Sequence, residues 1–140
     1  MFVKQLSIFL ENRAGRLDDA LKALKDNGIN IISLSLADTS DFGLLRLLVS
    51  DPDKAKQILK ERRFSAQLGD ILAIRIPHTP GSLSDVLGSV TAAGINIEYM
   101  YTLSVGGGDA NLALKTSDQD KTAQIFEQQG IHTYSQEELS

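Results

Sequence analysis

Gly28-Ile29-Asn30-Ile31 returns unchanged as Gly94-Ile95-Asn96-Ile97, 66 residues further along the chain. An identical tetrapeptide is a weak signal alone, but the match extends outward at the same offset. Upstream, Leu17, Ala20, Leu21 and Leu24 fall at helical spacing and make one apolar stripe. Leu83, Val86, Leu87 and Val90 repeat that stripe position for position. Before each stripe stands a loop, Asn12-Arg13-Ala14-Gly15-Arg16-Leu17 in one case and His78-Thr79-Pro80-Gly81-Ser82-Leu83 in the other, with the glycine and leucine in register. Ahead of the loops, Leu6, Ile8 and Leu10 alternate with Gln5, Ser7 and Phe9, and Leu72, Ile74 and Ile76 repeat the apolar face. Period-two alternation predicts a strand with one buried side. Beyond Gly106-Gly107-Gly108, which reads as a hairpin loop, the offset becomes 67. Ser117-Asp118 then matches Ser50-Asp51, Asp120-Lys121 matches Asp53-Lys54, and Ile125-Phe126 matches Ile58-Leu59. The chain is a tandem duplication of a unit of roughly 65 to 70 residues.

Within a unit the elements follow from local chemistry. Val3 to Leu10 is the first strand, and a helix opens near Gly15 with Asp18 and Asp19 in its first turn, where the helix dipole favours negative charge. Gly28 is a left-handed stop. A second strand runs from Ile29 to about Ala37, a turn covers Asp38 to Gly43, and a third strand covers Leu44 to Val49. Asp51-Pro52 starts a second helix, with an N-cap acid followed by proline at the first helical position. Ala55, Ile58 and Leu59 are its stripe, and Phe64 to Leu68 is a short fourth strand. After a linker at Gly69-Asp70 the pattern restarts with a strand from Ile71 to Ile76; Gly130 ends the last helix and Ile131 to Tyr134 is the final strand. The order is βαββαβ, twice, with domains at residues 1–69 and 70–140: an α+β protein with antiparallel sheets and helices on one face. Simple alternation assigns Ile32, Leu34 and Leu36, and likewise Glu98, Met100 and Thr102, to the face away from the helices. It assigns Tyr99 and Tyr101, alternating with Ile97 and Leu103, to the helix side. A unit this small buries little alone, and exposed aliphatics on an open face want a partner. The halves are therefore expected to pack together, and two chains to pair.

Composition narrows the function. Of the 140 residues, 42% are apolar, enough for a packed core. A net charge of −4 and a pI near 5.1 argue against a nucleic-acid partner, which needs a surplus of Lys and Arg. With no basic run longer than Arg62-Arg63 and no apolar run near ~20 residues, no membrane is expected either. The absence of cysteine removes thiolate chemistry and fits a reducing compartment, and the N-terminus lacks the pattern of a signal peptide, so a soluble cytoplasmic protein is expected. Two histidines and no cysteine leave few nucleophile–base pairs, and no carboxylate pair or metal spacing recurs in both halves; no enzyme activity, metal or cofactor is expected.

A βαββαβ unit with a Pro-Gly-type loop after its first strand, a leucine two residues past that glycine, and Gly-Ile-Asn-Ile opening the second strand resembles an ACT domain. Two such units in a short chain resemble the stand-alone tandem ACT proteins, over essentially the whole sequence. The resemblance implies a ferredoxin-like fold and a regulatory module that binds a small molecule, most often an amino acid, between the loop of one domain and the neighbouring domain. It implies a homodimer through pairing of ACT sheets, and a regulated enzyme as a further partner. The ligand-binding residues it implies are Asn12, Arg13, Ala14, Gly15, Arg16, Leu17, Asn30 and Ile31 in the first unit, and His78, Thr79, Pro80, Gly81, Ser82, Leu83, Asn96 and Ile97 in the second.

The residues themselves are compatible with this. Backbone N–H groups at a helix start suit a carboxylate, and Gly15 and Gly81 let a ligand reach the main chain. The loops are unequal, however. The first keeps the family's Asn at Asn12 but has Ala14 where proline is usual; the second has Pro80-Gly81 but His78 where Asn or Asp is usual. Inequivalent sites are expected, one binding better than the other. Arg13 and Arg16 either favour an acidic group or simply face solvent. The plainer readings make Gly15 and Gly81 turn residues, Asn30 and Asn96 local backbone caps, His78 a surface residue and His132 a residue of the last strand. On those readings the chain is a structural interaction module without a ligand.

Overall fold

The computed structural model describes residues 1–11, 13–38, 41–105 and 109–139. Its elements are β1 (Val3–Glu11), α1 (Arg16–Asp26), β2 (Ile31–Asp38), β3 (Phe42–Val49), α2 (Pro52–Glu61), β4 (Ser65–Ile76), α3 (Ser82–Ala92), β5 (Ile97–Thr102), β6 (Ala110–Thr116), α4 (Gln119–Gln128), β7 (His132–Thr133) and α5 (Gln136–Leu139). Contacts divide the chain into two compact units, Lys4–Asp70 and Ile71–Leu139, the latter joined by Met1–Val3.

In the first unit the strand order is β2-β3-β1-β4. Leu6, Ile8 and Leu10 of β1 and Leu45, Leu47 and Val49 of β3 point to one side, where Ala20, Ala23 and Leu24 of α1 and Ala55, Ile58 and Leu59 of α2 cover them. The second unit repeats the arrangement in the order β7-β4-β6-β5. Leu72, Ile74 and Ile76 meet Leu112 and Leu114 under Val90 of α3 and Phe126 of α4. Each unit is thus an antiparallel sheet with helices on one face, as the alternation and the helical stripes predict.

The second helix of each unit starts as the sequence indicates. The Asp51 carboxylate accepts a hydrogen bond from the Lys54 N–H at 3.2 Å, and Asp118 accepts one from the Lys121 N–H at 3.1 Å. Replacing Asp118 with alanine is expected to cost about 0.5–2 kcal/mol, read as a lower urea midpoint with an unchanged slope.

Four features depart from the sequence expectation. First, Gly69 and Asp70 are not a linker between two strands; β4 runs unbroken from Ser65 to Ile76. Asp70 interrupts the apolar alternation of Ala66, Leu68, Leu72, Ile74 and Ile76 without changing its phase, and there is no proline to stop the strand. Second, the last strand is only His132–Thr133, followed by a short helix. That helix opens with a reciprocal cap: the Ser135 N–H donates to Glu138 Oε1 at 2.9 Å, and the Glu138 N–H donates to Ser135 Oγ at 3.2 Å. The Ser135 N–H, and then His132 Nε2 at 2.8 Å, hold the Glu138 carboxyl below its ordinary range.

Third, β2 and β5 each change register just after the repeated tetrapeptide. Ile31 pairs with Val49 but Ser33 with Leu48; Ile97 pairs with Thr116 but Tyr99 with Lys115. One extra residue in each strand, Ile32 or Glu98, reverses the alternation beyond it. Leu34 and Leu36 therefore lie opposite Leu47 and Leu45, on the helix-bearing face, and Met100 and Thr102 lie opposite Leu114 and Leu112. Their expected assignment to the open face is corrected. Tyr99 and Tyr101 are corrected in the opposite sense: they lie opposite Lys115 and Ala113, away from the helices, and are only half-buried. Fourth, Leu34 and Leu36 each stay 50% exposed despite facing the helix side. The buried cluster draws on β1 and β3 and reaches the edge strand only at Ile31.

Part of the Asp38–Gly43 turn and the Gly106–Gly108 hairpin loop lie outside the described residues.

Candidate functional site

The helices that follow the repeated loops begin differently from the other two long helices. The N-cap of α1 is Gly15, with φ 88° and ψ −12°; that of α3 is Gly81, with φ 86° and ψ −12°. Both are left-handed, a conformation that glycine adopts without penalty, and neither offers a side chain to the helix. The first N–H groups of a helix have no acceptor within it. Asp51 and Asp118 supply one to α2 and α4, whereas among the described residues no side chain does so for α1 or α3. The Arg16 and Ser82 N–H groups reach the Arg13 and Thr79 carbonyls at 3.5 and 3.1 Å, and the N–H groups that follow are the ones an anion could take. Among the described residues, a Cβ added at either glycine would meet nothing within 4 Å.

Strand register places each loop at one particular end of its sheet. Glu11, the last residue of β1, pairs with Phe42, and Asp38 at the end of β2 pairs with Gly43. A pocket opens there in each unit, and the two linings correspond along the repeat: Leu10 with Ile76, Leu17 with Leu83, Leu36 with Thr102, Gly43 with Ala110. Leu17 and Leu83, the first members of the helical stripes, are not core residues; they are 36% and 37% exposed and face these pockets.

The pockets differ in size and charge. The first measures about 190 Å³ and the second about 650 Å³. In the first, Leu36 leans across Gly43, its Cδ1 only 3.3 Å from where a Cβ would stand on that glycine. The smaller Thr102 stands at the corresponding place in the second. Glu11, Arg13 and Asp38 line the first pocket, whereas the second is lined by no Asp, Glu, Lys or Arg.

The expected site residues are distributed as follows. His78, Thr79, Gly81, Ser82 and Leu83 come together around the second pocket, with the exposed Pro80 preceding the glycine. Thr79 and Ser82 bind each other through their hydroxyls, and the Ser82 N–H donates to the Thr79 carbonyl at 3.1 Å. Arg13 and Leu17 line the first pocket, Ala14 is exposed in the loop, and Asn12 lies outside the described residues. Neither arginine is an idle charge. Arg13 Nε pairs with Glu11 at 3.2 Å. Arg16 stacks on the Phe64 ring at 4.0 Å with Asp19 at 3.9 Å, so it is held within the unit and does not face solvent.

Asn30 and Asn96 sit at the opposite end of their sheets from the loops, with Ile31 and Ile97 beside them. Their N–H groups donate to Ser50 Oγ at 3.0 Å and Ser117 Oγ at 2.9 Å, and their carbonyls accept from the N–H of the same serines at 2.9 Å. That tie runs through the asparagine main chain, so it accounts for the repeated Ser50 and Ser117 and not for the asparagine side chains. Within one unit these residues do not share a site with the glycine loop. Sequence reasoning missed Thr102, Ala110, Leu87 and Leu112, which complete the second pocket. The repeat offset would have found them only together with the register change in β5.

Among the described residues no group of three or more His, Asp or Glu side chains could hold a metal ion, and no helix is long and apolar enough to cross a membrane.

No curated protein matches the sequence. Among solved structures, a protein from Bacteroides thetaiotaomicron is 40% identical, with a TM-score of 0.93 over 99% of this chain and 96% of that one. The regulatory subunits of aspartate kinase from Thermus thermophilus and Thermus flavus share the fold at 14% and 17% identity, with TM-scores of 0.62 and 0.61 over 89% of this chain and 90% of theirs. The family model for the ACT domain pair matches residues 1–140. The chain belongs to the family of ACT domain pairs.

Proposed function

We propose that this protein is a regulatory module, not an enzyme, whose second unit binds an amino acid at the corner formed by Pro80-Gly81 and the start of α3. The observation that carries the reading is the contrast among helix starts. Two are closed by aspartate side chains, and the one after Gly81 is left open beside a pocket of about 650 Å³. The ligand carboxylate takes the first-turn N–H groups of α3 that follow Ser82, whose own N–H is held by Thr79, and the ligand side chain enters the pocket. The first unit's corner binds weakly or not at all, because Leu36 narrows it and, with Glu11 paired to Arg13, the Asp38 carboxylate still leaves it net negative towards an acid. Regulation requires the ligand to prefer one state of the protein over another. Pairing of two chains through sheet edges is the state it selects, in the cytoplasm, with an enzyme as the controlled partner. The half-exposed Leu34 and Leu36 on the edge strand β2 favour assembly with a second chain even without ligand.

The test is a melting-temperature screen against the twenty amino acids. A ligand at ~100 times its Kd stabilises the folded state by about 2.7 kcal/mol. For ~150 residues that raises Tm by roughly 5–11 °C. At least one clear hit is expected; flat curves across a millimolar panel would overturn the proposal.

A further inference from the structure

We infer that the amino acid accepted by the second unit carries an uncharged, apolar side chain, aliphatic or aromatic, rather than an acidic or basic one. This rests on the reading that the corner at Gly81 holds an amino acid, and it comes from two independent features of the molecule.

The first is the lining. Ile76 and Leu112 form a buried floor, 2% and 6% exposed, and Leu83, Leu87 and Ala110 form the walls. No side chain of fixed charge borders the pocket, so a ligand ammonium or carboxylate carried there on a side chain would lose its hydration without gaining a counter-charge. The polar side chains of the lining are His78, Ser84, Thr102 and the hydroxyls of Thr79 and Ser82, which are engaged with each other, while the half-open Leu83 presents apolar surface to whatever enters.

The second is the first unit, which shows what such a corner accommodates. Residue for residue, Leu10, Leu17 and Gly43 correspond to Ile76, Leu83 and Ala110, and against them lies the chain's own Leu36. An aliphatic side chain borders the first corner where the second has only Thr102. The first unit therefore carries part of its own filling, and the second takes an equivalent group from outside.

Calorimetric titration of the full chain with alanine, 2-aminobutyrate, norvaline and norleucine tests this. Kd is expected to fall about fourfold with each added methylene, the gain from burying one CH₂. Aspartate and lysine should bind at least about tenfold more weakly than norleucine. Thr102→Leu, which installs the first unit's residue, should weaken norleucine by about tenfold or more while leaving the urea midpoint nearly unchanged. A flat series, tighter binding of aspartate or lysine, or undiminished norleucine binding by Thr102→Leu would each overturn the inference while leaving an amino-acid site intact. No binding by any of these compounds would remove that site and the inference together.

Discussion

Gly81→Val is expected to abolish the ligand-induced rise of roughly 5–11 °C in melting temperature, and Gly15→Val to leave it in place. The two substitutions are matched in every respect but location. Both glycines cap a helix at nearly the same left-handed angles, φ 86° and 88°, and an added Cβ meets no neighbour at either. Each variant therefore carries a similar backbone penalty, on the order of 1–2 kcal/mol, visible as a similar drop in the ligand-free melting temperature. Only at Gly81 do the valine methyls stand between a ligand in the larger pocket and the open N–H groups of α3. Measured with and without the strongest compound of the amino-acid screen, the pair separates loss of binding from loss of fold. A Gly81→Val protein that keeps its shift would place the ligand elsewhere. Loss of the shift in both variants would make the first corner a binding site as well.

Phe126→Ala should be the most damaging single change in the second unit, costing about 3–5 kcal/mol. Phe126 is fully buried and is the largest side chain of the cluster that includes Leu72, Ile74, Val90 and Leu114. Its counterpart in the first unit is Leu59, also fully buried. A loss of that size is a large fraction of the ~5–15 kcal/mol that holds a folded domain. Urea denaturation is expected to show a midpoint far below that of the unmodified chain. Phe126→Leu, the first unit's own choice, should cost less than alanine because it leaves a smaller cavity. Equal midpoints for alanine and phenylalanine would mean that this cluster does not limit stability.

Much of this architecture was legible because the chain states it twice. The strand faces around Leu6 and Leu72, the helix caps at Asp51 and Asp118, and the left-handed Gly28 all follow from local rules that act within a few residues. What escaped is non-local. Whether a strand continues through Gly69-Asp70 depends on pairing with other strands, which composition at that point does not reveal. The short helix after His132 is signalled only by Ser135 and Glu138. Sites of unequal affinity were expected from Ala14 and His78 in the loops; the difference in pocket size lies beside Leu36 and Thr102, on strands distant in sequence. The asparagines of the repeated tetrapeptide stood out to the eye, but what secures the strand start there is their main chain bonded to Ser50 and Ser117.

The extra residue in β2 and β5 has a consequence for how such a corner can change over descent. Substitution alters one side chain at a time, as Leu36 and Thr102 show. Deleting Glu98 would instead remove the bulge, letting Ile97 and Tyr99 follow one another against Thr116 and Lys115 while Thr102 stays opposite Leu112, so the strand start changes and the corner's inward-facing set does not. The chain thus carries two kinds of variability, one written in residue identity and one in strand length. Because the unit is duplicated, a change of either kind in one copy leaves the other copy's corner as it is.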